Sequence, residues 1–308
     1  MSAFRRDRQL RSGFEPGRPE AGYYNDLRGV AREYGSPQEA LGWLEVLQLR
    51  RDHANPVSIL QLGLGAWQLD RDTPGEGWEH VARSVTAWIS ADATDDGLLT
   101  YRFDMPHTFE LAAPWASALA QGQAASLLVR MPGVLPPTRD AELLGLLAGT
   151  LLGDAGGLLV ELPEGPILEE YPTSPPSLVL NGAVFATFGL LDLAACERLA
   201  PDLAERCEQM ARATADTIAA TLGEWELPSG WTAYDRHPHP IRHVASPFYH
   251  DLHVELVGVL AELLPDPAFA VHLERWQAAR ERRLTVAAAV ARKVAFRLLR
   301  PRSGRRAA

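Results

Sequence analysis

The chain has 308 residues, of which 46% are hydrophobic and 22% charged, with a net charge of −9 and two cysteines. This composition is typical of a folded domain and excludes a mainly disordered chain. No apolar run reaches the ~18 residues that cross a membrane, and the basic start lacks the apolar core of a signal peptide, so we expect a cytoplasmic protein. Cys196 and Cys207 lie eleven residues apart in a segment that reads as helix, which indicates buried thiols rather than a disulfide framework or a metal pattern.

Most of the chain shows the three- and four-residue apolar spacing of helices. Residues 1–20 lack this spacing, are rich in Gly and Pro, and are predicted to be flexible. The first clear helix opens at Pro37, with Ser36 as its N-cap. The predicted helices span Pro37 to Arg51, a segment opening at Asn55-Pro56, Trp78 to Ile89, Pro114 to Val129, Asp140 to Leu152, Ser177 to Ala194, Leu203 to Leu222, Phe248 to Leu264 and Ala268 to Val294.

Two short stretches predict β structure. LLTYRFD follows the tight turn Asp95-Asp96-Gly97 and reads as a short strand, and GGLLVELPEGPIL alternates and turns as a hairpin does. Helices of ten to twenty residues with few strands predict a mainly α fold of packed helical hairpins. If the helices alternate between an inner and an outer ring, they form an (α/α) toroid, an incomplete barrel that gathers loops at one end of a central cleft. We assign residues 21–280 to this domain.

The segment EEYPTSPPSLVLNG, residues 169–182, carries the densest chemistry. Two carboxylates and the phenol of Tyr171 precede three prolines in five residues, so the backbone is stiff and a helix can begin only near Ser177. Loops on a helical scaffold commonly carry binding and catalytic groups. The alternative is structural, with Glu169 and Glu170 capping a helix and Tyr171 packing beside the prolines.

Three further clusters place aromatic, amide or guanidinium groups in loops or at expected helix starts. Aromatic faces stack on sugar rings, while amides and guanidinium groups bind hydroxyls and carboxylates, so such a set suits a carbohydrate site. At the helix start, Trp115, Gln121 and Gln123 could instead cap and pack the helix. The clusters are YRFD at 101–104, PWASALAQGQ at 114–123, and YDRH to YHDLH at 234–253.

Five of the nine histidines lie within seventeen residues, which raises the question of a metal site. No carboxylate-supported ligand pattern accompanies them in the linear sequence, so we predict no metal. They are His237, His239, His243, His250 and His253.

Residues 281–308 form a basic end to an otherwise acidic chain. From Arg280 onward there are ten basic residues and one acid, Glu281. LTVAAAVARKVAFRLLRPR places Arg at helical intervals among apolar residues, a pattern of helices that lie on anionic membrane surfaces. The alternative is a last helix packed on the core with a basic end.

The segments EEYPTSPPSLVLNG, PWASALAQGQAASLLVR and NPVSILQLGLGAWQL, with the later YDRH and YHDLH, resemble the C-terminal catalytic domain of D-glucuronyl C5-epimerases. These enzymes convert glucuronic to iduronic acid in heparan-type polysaccharides. The resemblance spans roughly residues 55–280 and implies an (α/α) toroid with epimerase activity. It also implies which residues of this chain correspond to the family's functional residues. The tyrosines are Tyr171, Tyr234 and Tyr249, the carboxylate is Glu170, the asparagine is Asn181 and the arginine is Arg236.

Inversion at C5 requires removal of a proton from the carbon beside a carboxylate and return of one from the opposite face, so two groups must flank the ring. Glu170 or a phenolate from Tyr171 could act as the base, with Tyr249 as the acid. The sequence leaves open which phenol serves which face.

The same reaction needs a positive charge. A second negative charge forms beside the substrate carboxylate, for which Arg236 is a suitable partner and His237 an alternative. A tyrosine base also needs a nearby cation, because the phenol ordinarily titrates near ~10. Arg236 is expected to lie beside Tyr234 and to meet that need.

The predicted site combines these two sets of residues. The catalytic residues are predicted to be Glu170, Tyr171, Tyr234 and Tyr249. The predicted substrate-binding residues are Tyr101, Arg102, Trp115, Gln121, Gln123, Asn181, Arg236, His237 and His250.

An acidic body attracts a long polyanion poorly. The predicted partner is therefore a short or lipid-linked uronic-acid glycan, processed at the inner face of the membrane while the basic tail touches the lipid. We predict no nucleic-acid partner and no cofactor, and leave a homodimer open. Two other functions stay open, a polysaccharide lyase or hydrolase on the same toroid and a non-catalytic glycan-binding protein. The presence of Glu170 and the three tyrosines favours an enzyme.

Overall fold

A computed structural model describes residues 12–106 and 108–300 of the chain. The described part is mainly helical, which confirms the predicted α class. The helices are α1 (Arg28–Arg32), α2 (Pro37–Leu49), α3 (Pro56–Asp72), α4 (Trp78–Asp92), α5 (Ala118–Arg130), α6 (Pro137–Leu151), α7 (Leu180–Ala194), α8 (Pro201–Thr221), α9 (Pro247–Leu263), α10 (Pro267–Glu281) and α11 (Arg283–Leu299). Short 3₁₀ turns lie at Pro19–Ala21, Arg51–His53 and Leu222–Trp225.

Four short strands form two antiparallel pairs. Strand β1 (Thr100–Tyr101) pairs with β2 (Trp115–Ala116), and β3 (Leu159–Leu162) pairs with β4 (Gly165–Leu168) as the predicted hairpin. The first pair shortens a predicted helix. Because Trp115 and Ala116 are extended, α5 begins at Ala118 rather than at Pro114.

Helix starts follow the local sequence signals. Ser36 forms a capping box with Glu39, as its position before Pro37 predicts. Asn55 caps α3 through the backbone N–H of Ser58, and Ser246 caps α9. The helix α1 was not predicted, because five residues are too few for a clear periodicity.

Helices α3, α5, α7 and α9 pack side by side in chain order, and each also packs against the helix that follows it. In the middle of this row, α5 and α7 are buried over nearly their whole length. Their backbones approach closely at two glycines, since a Cβ on Gly189 would lie 2.4 Å from the Cα of Gly122. The core is therefore built around the α5–α7 contact.

The segments that precede α5, α7 and α9 meet at one end of this row. The N–H of Ala118 donates to the carbonyl of Glu169, and the N–H of Arg236 donates to the carbonyl of Ser177. Loops from three helix starts are thus joined directly through their backbones. This end holds most of the residues predicted to carry function.

The end of the chain differs from its prediction. The expected single helix from Ala268 to Val294 is two helices, because Arg282 adopts an extended conformation between α10 and α11. Helix α11 packs on the protein through Ala289 and Phe296, as in the core-packed alternative, while Leu284 and Leu298 are exposed. Residues 301–308 of the predicted basic tail, and residues 1–11 of the predicted flexible start, lie outside the described residues.

Among the described residues, none of the helices combines the length and apolarity that a membrane crossing needs.

Candidate active site

The carboxyl group of Glu170 lies at the centre of the candidate site. It is almost completely buried, and its Oε2 accepts a hydrogen bond of 3.2 Å from Nδ2 of Asn181. Burial raises the pKa of Glu170 to about 7, while hydrogen bonds from Tyr171 and Asn181 oppose that rise. A carboxyl group that titrates near neutral pH can both accept and return a proton under physiological conditions.

The three predicted catalytic tyrosines gather around this carboxyl group. The hydroxyl of Tyr171 is hydrogen-bonded to Glu170, and Tyr234 is hydrogen-bonded to Tyr171. The rings of Tyr234 and Tyr249 meet edge to face with centroids 4.8 Å apart. Burial and the nearby carboxylate raise the pKa of both Tyr171 and Tyr234 well above the ordinary value. These four residues, which lie in three separate segments of the sequence, therefore form one cluster.

Glu169, next to this cluster, has a structural role. Its Oε1 accepts from the N–H of Leu178 at 2.6 Å, and its Oε2 accepts from the N–H and hydroxyl of Ser177 at 2.8 and 3.1 Å. These bonds hold Leu178 at φ 49°, a conformation that non-glycine residues seldom adopt. Because Leu178 has this positive φ, α7 begins at Leu180 rather than at the predicted Ser177. Glu169 thereby fixes the loop that carries Glu170 and Tyr171.

Gly182 makes room for Glu170. A Cβ at this position in α7 would lie 2.4 Å from the Cβ of Glu170. The glycine therefore allows the carboxyl group to lie directly against the first turn of the helix.

Three further aromatic side chains pack beside Tyr171. The rings of Tyr101 and Trp115 stack 3.8 Å apart, and Trp115 lies 5.7 Å from the ring of Tyr171. Phe109, which the sequence did not single out, stacks on Tyr171 at 4.4 Å. Tyr101 and Trp115 thus reach the site as predicted, as a stacked pair packed at its edge.

Two predicted contacts are placed elsewhere by the structure. Gln121 is fully buried, and its amide pairs with both the N–H and the carbonyl of Leu99. Gln123 is also fully buried and lies near the phenol of Tyr23. These side chains pack the start of α5, which was the alternative reading of their pattern.

The two histidines predicted to bind substrate, His237 and His250, lie in different surroundings. His237 rests on the proline loop, with Nδ1 at 3.1 Å from the carbonyl of Pro175. His250 is fully buried, stacks on Trp231 at 3.9 Å, and uses both ring nitrogens for Thr232 and Trp276. It belongs to the core, so its predicted contact with substrate does not fit its position.

Asn181 fits its predicted place better. Its Nδ2 donates to Glu170, whereas its buried Oδ1 has no hydrogen-bond partner among the residues that the structure describes. A buried amide oxygen without a partner is costly in a protein interior. It is therefore available to a ligand hydroxyl group.

The predicted cations are already paired. The guanidinium of Arg236 forms an ion pair with Glu224 and lies 4.9 Å from the ring of Trp225. Arg102 pairs with Asp92 at 3.2 Å. Arg236 thus has an acidic and an aromatic neighbour, while its buried Nη1 has no hydrogen-bond partner among the described residues, and its expected place beside Tyr234 stays a prediction.

Lys293 of α11 is a cation that lies beside Tyr234. Its Nζ lies 5.2 Å from the ring centroid of Tyr234 and 2.7 Å from Nε2 of His243. The sequence alone sets this residue apart, because Lys293 is the only lysine among the 30 lysine and arginine residues of the chain. Helix α11, which the sequence did not connect with the site, therefore reaches it through Lys293.

His243 links Lys293 to a buried carboxylate. Nδ1 of His243 lies 2.5 Å from Asp235, and His239 lies near the same carboxylate at 3.2 Å. One atom from each of these three residues falls within 4.8 Å of the others, a spacing that could hold a metal ion. The linear sequence did not reveal this carboxylate partner. Since the Lys293 ammonium adds a positive charge beside His243, a hydrogen-bonded network describes the group better, and the absence of a metal stays a prediction.

Fold and site together define a mainly helical protein in which the segments at the start of two packed helices, α7 and α9, present one carboxyl group and three phenols to a single site. Residues 94–278 match the family described as D-glucuronyl C5-epimerase C-terminus, and this stretch is more than half of the chain. The chain belongs to the D-glucuronyl C5-epimerase family.

A relative shows the extent of the likeness. A D-glucuronyl C5-epimerase of Caenorhabditis elegans is 27% identical over 224 residues, which cover 65% of this chain and 35% of that protein. The matched region thus corresponds to about a third of the length of that relative.

Proposed function

We propose that this chain is a uronyl C5-epimerase, an isomerase that inverts C5 of a D-glucuronic acid residue within a glycan to give L-iduronic acid. Membership of the family supports the class of reaction. The observation that carries the proposal is the convergence of Glu170, Tyr171, Tyr234 and Tyr249 from two loops and the first turn of α9.

The reaction needs one proton removed and one returned. The Glu170 carboxylate takes the hydrogen from C5, and the electron pair of that C–H bond moves into the substrate carboxylate. The phenol of Tyr249 then donates its proton to the opposite face of C5, leaving a tyrosinate. No proton is gained or lost overall, since one carboxylic acid and one phenolate replace one carboxylate and one phenol.

The enzyme must return to its starting protonation state. Tyr234 and Tyr249 meet through their rings, so the hydrogen-bonded series from Glu170 through Tyr171 ends at Tyr234. After the product leaves, Glu170 releases its proton to solvent and the Tyr249 phenolate takes one from solvent, which restores the starting state.

We also propose that the row α3, α5, α7 and α9 is the inner layer of an incomplete (α/α) toroid, with α4, α6, α8 and α10 outside it. The pairwise packing of these helices and the gathering of loops at one end support this arrangement. The domain limits, the glycan partner, the cytoplasmic and membrane-surface location, and the homodimer stay predictions.

The proposal is tested by incubating a glucuronic-acid-containing oligosaccharide of heparan type in deuterated water and following C5 by proton NMR. We expect deuterium at C5 and the appearance of iduronic acid. Tyr249→Phe should abolish the inversion while glycan binding remains. The matched control is Tyr34→Phe, because Tyr34 packs on Trp43 outside the cluster.

Two results would count against the proposal. Inversion at the wild-type rate in Tyr249→Phe would remove this phenol from the mechanism. An unsaturated product that absorbs ultraviolet light would identify a lyase, in which loss of the C5 proton is followed by expulsion of the C4 substituent.

A further inference from the structure

Helix α11 is held on the protein by one side only. Ala289 and Phe296 are buried against the core. The ring of Phe296 stacks on His243 at 3.9 Å, and Nζ of Lys293 lies 2.7 Å from the same histidine. These contacts fix the rotation of α11 about its axis, so the opposite side of the helix points away from the protein.

That opposite side is apolar and exposed. At about 100° per residue, the residues opposite Ala289 and Phe296 fall within an arc of roughly 140°. Four exposed alanines occupy the arc at positions 287, 288, 291 and 295. The large side chains on it have exposed fractions of 87%, 53%, 77% and 64%, for Leu284, Val294, Leu298 and Leu299 respectively. These eight residues are the outer face of α11, and none of them is polar.

Such a face is unusual on the surface of a folded domain. An exposed helix ordinarily places charged and polar residues on its outer side. Isolated exposed leucines are common on protein surfaces, whereas a continuous apolar face indicates contact with another molecule or with lipid. The outer face runs over about four helical turns, from Leu284 to Leu299. It therefore calls for an apolar partner.

Basic residues border the outer face. Arg283 lies at one edge of the arc and Arg292 at the other, and both are exposed. Arginines at the edge of an apolar helix face can extend to lipid head groups while the apolar residues enter the boundary of the acyl chains. Between residues 283 and 300 the sequence has five basic residues and no acidic one. One of the five, Arg300, pairs with Glu110, so the two edge arginines carry the argument.

The same charges disfavour a second copy of the chain as the partner. In a symmetric dimer the same surface of each copy faces the other, so the basic edges of two α11 helices would approach each other. The helix supplies no acidic residue that could pair with the arginines of the second copy. Like charges brought together in this way oppose association. An anionic lipid surface offers both opposite charge and an apolar interior.

We propose that the outer face of α11 binds the surface of an anionic lipid bilayer, with the helix parallel to the membrane plane. Leu284, Val294 and Leu298 enter the boundary between head groups and acyl chains, while Arg283 and Arg292 contact lipid phosphates. With 17 residues, α11 is shorter than the ~20 residues of a spanning helix. The helix therefore lies on the membrane and does not cross it.

Membrane binding through α11 also positions the candidate active site. The side of the helix that faces the protein contacts Tyr234 through Lys293, whose Nζ lies 5.2 Å from the ring centroid. A membrane-bound α11 therefore places the candidate site beside the lipid surface. The inference does not depend on the proposed epimerase activity.

Co-sedimentation of the full chain with lipid vesicles tests the proposal. One set of vesicles contains equal parts of phosphatidylcholine and anionic phosphatidylglycerol, and the other contains phosphatidylcholine alone. The test variant is Leu284→Gln/Leu298→Gln. The matched control is Val46→Gln/Leu49→Gln on α2, where the exposed fractions are 54% and 87%. The control removes a similar amount of exposed apolar surface from another helix.

We expect the wild type to bind the anionic vesicles at least ~10-fold more tightly than the neutral ones, and to be released as the salt concentration rises. The α11 variant should bind the anionic vesicles ~10-fold more weakly or worse, because glutamine loses the apolar contact. The α2 variant should bind like the wild type. Absence of binding in the wild type, equal binding to both kinds of vesicle, or equal losses in the two variants would overturn the proposal.

A charge variant tests the basic edges. Arg283→Gln/Arg292→Gln should bind the anionic vesicles ~10-fold more weakly. Its control is Arg83→Gln/Arg212→Gln, which removes the same charge from exposed positions on α4 and α8. Equal losses in these two variants would show that net charge alone drives binding, and would overturn the assignment to α11.

Hydrogen exchange needs no variant and keeps the proposal testable even if a substitution prevents folding. The backbone amides of residues 284–299 should exchange more slowly when anionic vesicles are added, while those of α2 stay unchanged. Unchanged exchange in α11 would overturn the proposal.

Sedimentation equilibrium without lipid distinguishes the second copy from the membrane. We expect the wild type and Leu284→Gln/Leu298→Gln to have the same mass. A wild-type dimer that this variant dissociates, together with no vesicle binding, would identify a second copy as the partner and overturn the membrane proposal.

Discussion

At the scale of single residues, the burial of Glu170 makes stability depend on pH. Its pKa is raised from 4.5 to about 7, so between these values the folded state holds a proton that the unfolded state has lost. The stabilisation is complete below pH 4.5 and is lost as the pH rises through about 7. The loss is at most on the order of 3 kcal/mol.

Glu170→Gln should remove this dependence, since an amide resembles the protonated acid. We expect the variant and the wild type to be similarly stable near pH 4, and the variant to be more stable by ~3 kcal/mol at pH 8. Urea unfolding at both pH values measures the difference. A stability difference that is the same at the two pH values would contradict the buried, neutral-range carboxyl group.

Gly182→Ala tests the contact between α7 and Glu170. The new methyl group would overlap the Cβ of Glu170, so we expect a loss of ~2 kcal/mol together with impaired C5 exchange. The matched control is Gly258→Ala in α9, where a Cβ meets no atom within 4 Å. That variant should gain ~0.5–1 kcal/mol, because alanine favours a helix over glycine. Equal effects in the two variants would argue against a packed Glu170.

The composition of the cluster was predictable at this scale, because Glu170 and the three tyrosines stand in motifs that keep their order. The direction in which the polar side chains point was not predictable from the sequence. Gln121 and His250 turn into the core, where backbone groups of Leu99 and Trp276 satisfy them. Such pairing depends on long-range packing, which motif spacing does not encode.

At the scale of elements, the proline loop depends on Glu169. Its carboxylate accepts from two backbone N–H groups and one hydroxyl, so Glu169→Gln would turn an amide N–H₂ toward donors. We expect a loss of ~2 kcal/mol in the free energy of unfolding, and a larger fractional loss of C5 exchange because Tyr171 shifts. Chemical unfolding and the exchange assay measure the two effects.

The control for this variant is Glu161→Gln on β3, where the side chain is exposed. It should change stability by less than ~0.5 kcal/mol. If Glu169→Gln behaved like this control, the carboxylate would not be what holds the loop.

Element boundaries show where sequence patterns stop being informative. The capped starts of α2 and α3 were predicted correctly, because Ser36 and Asn55 act through neighbours in the chain. The start of α7 and the break at Arg282 were not, since the first depends on Glu169 and the second on the packing of α11. Boundaries set by distant contacts carry little local signal.

At the scale of the whole molecule, a buried ion pair joins the N-terminal segment to the central helices. Arg130 of α5 pairs with Asp192 of α7 at 2.5 Å, and both side chains are fully buried. Arg130 also donates to the carbonyl of Gly22, and Tyr24 donates to Asp192. This network fixes residues 22–24 against the α5–α7 contact.

Asp192→Asn should therefore be strongly destabilising, by ~3–5 kcal/mol, because it leaves the Arg130 charge buried without its partner. Glu208→Gln offers a comparison, since Glu208 forms an exposed pair with Arg212 and should change stability by no more than ~0.5 kcal/mol. Thermal unfolding of the two variants measures the two losses of stability. A mild effect of Asp192→Asn would show that the N-terminal segment is held by other contacts.

The central claim is that one cluster removes and returns the C5 proton on opposite faces. The most direct measurement starts the reaction separately from a glucuronic-acid and an iduronic-acid form of the same oligosaccharide in deuterated water, with proton NMR of both epimers. We predict that both reactions reach the same mixture and carry deuterium at C5. Two unchanged starting materials without deuterium would contradict the claim.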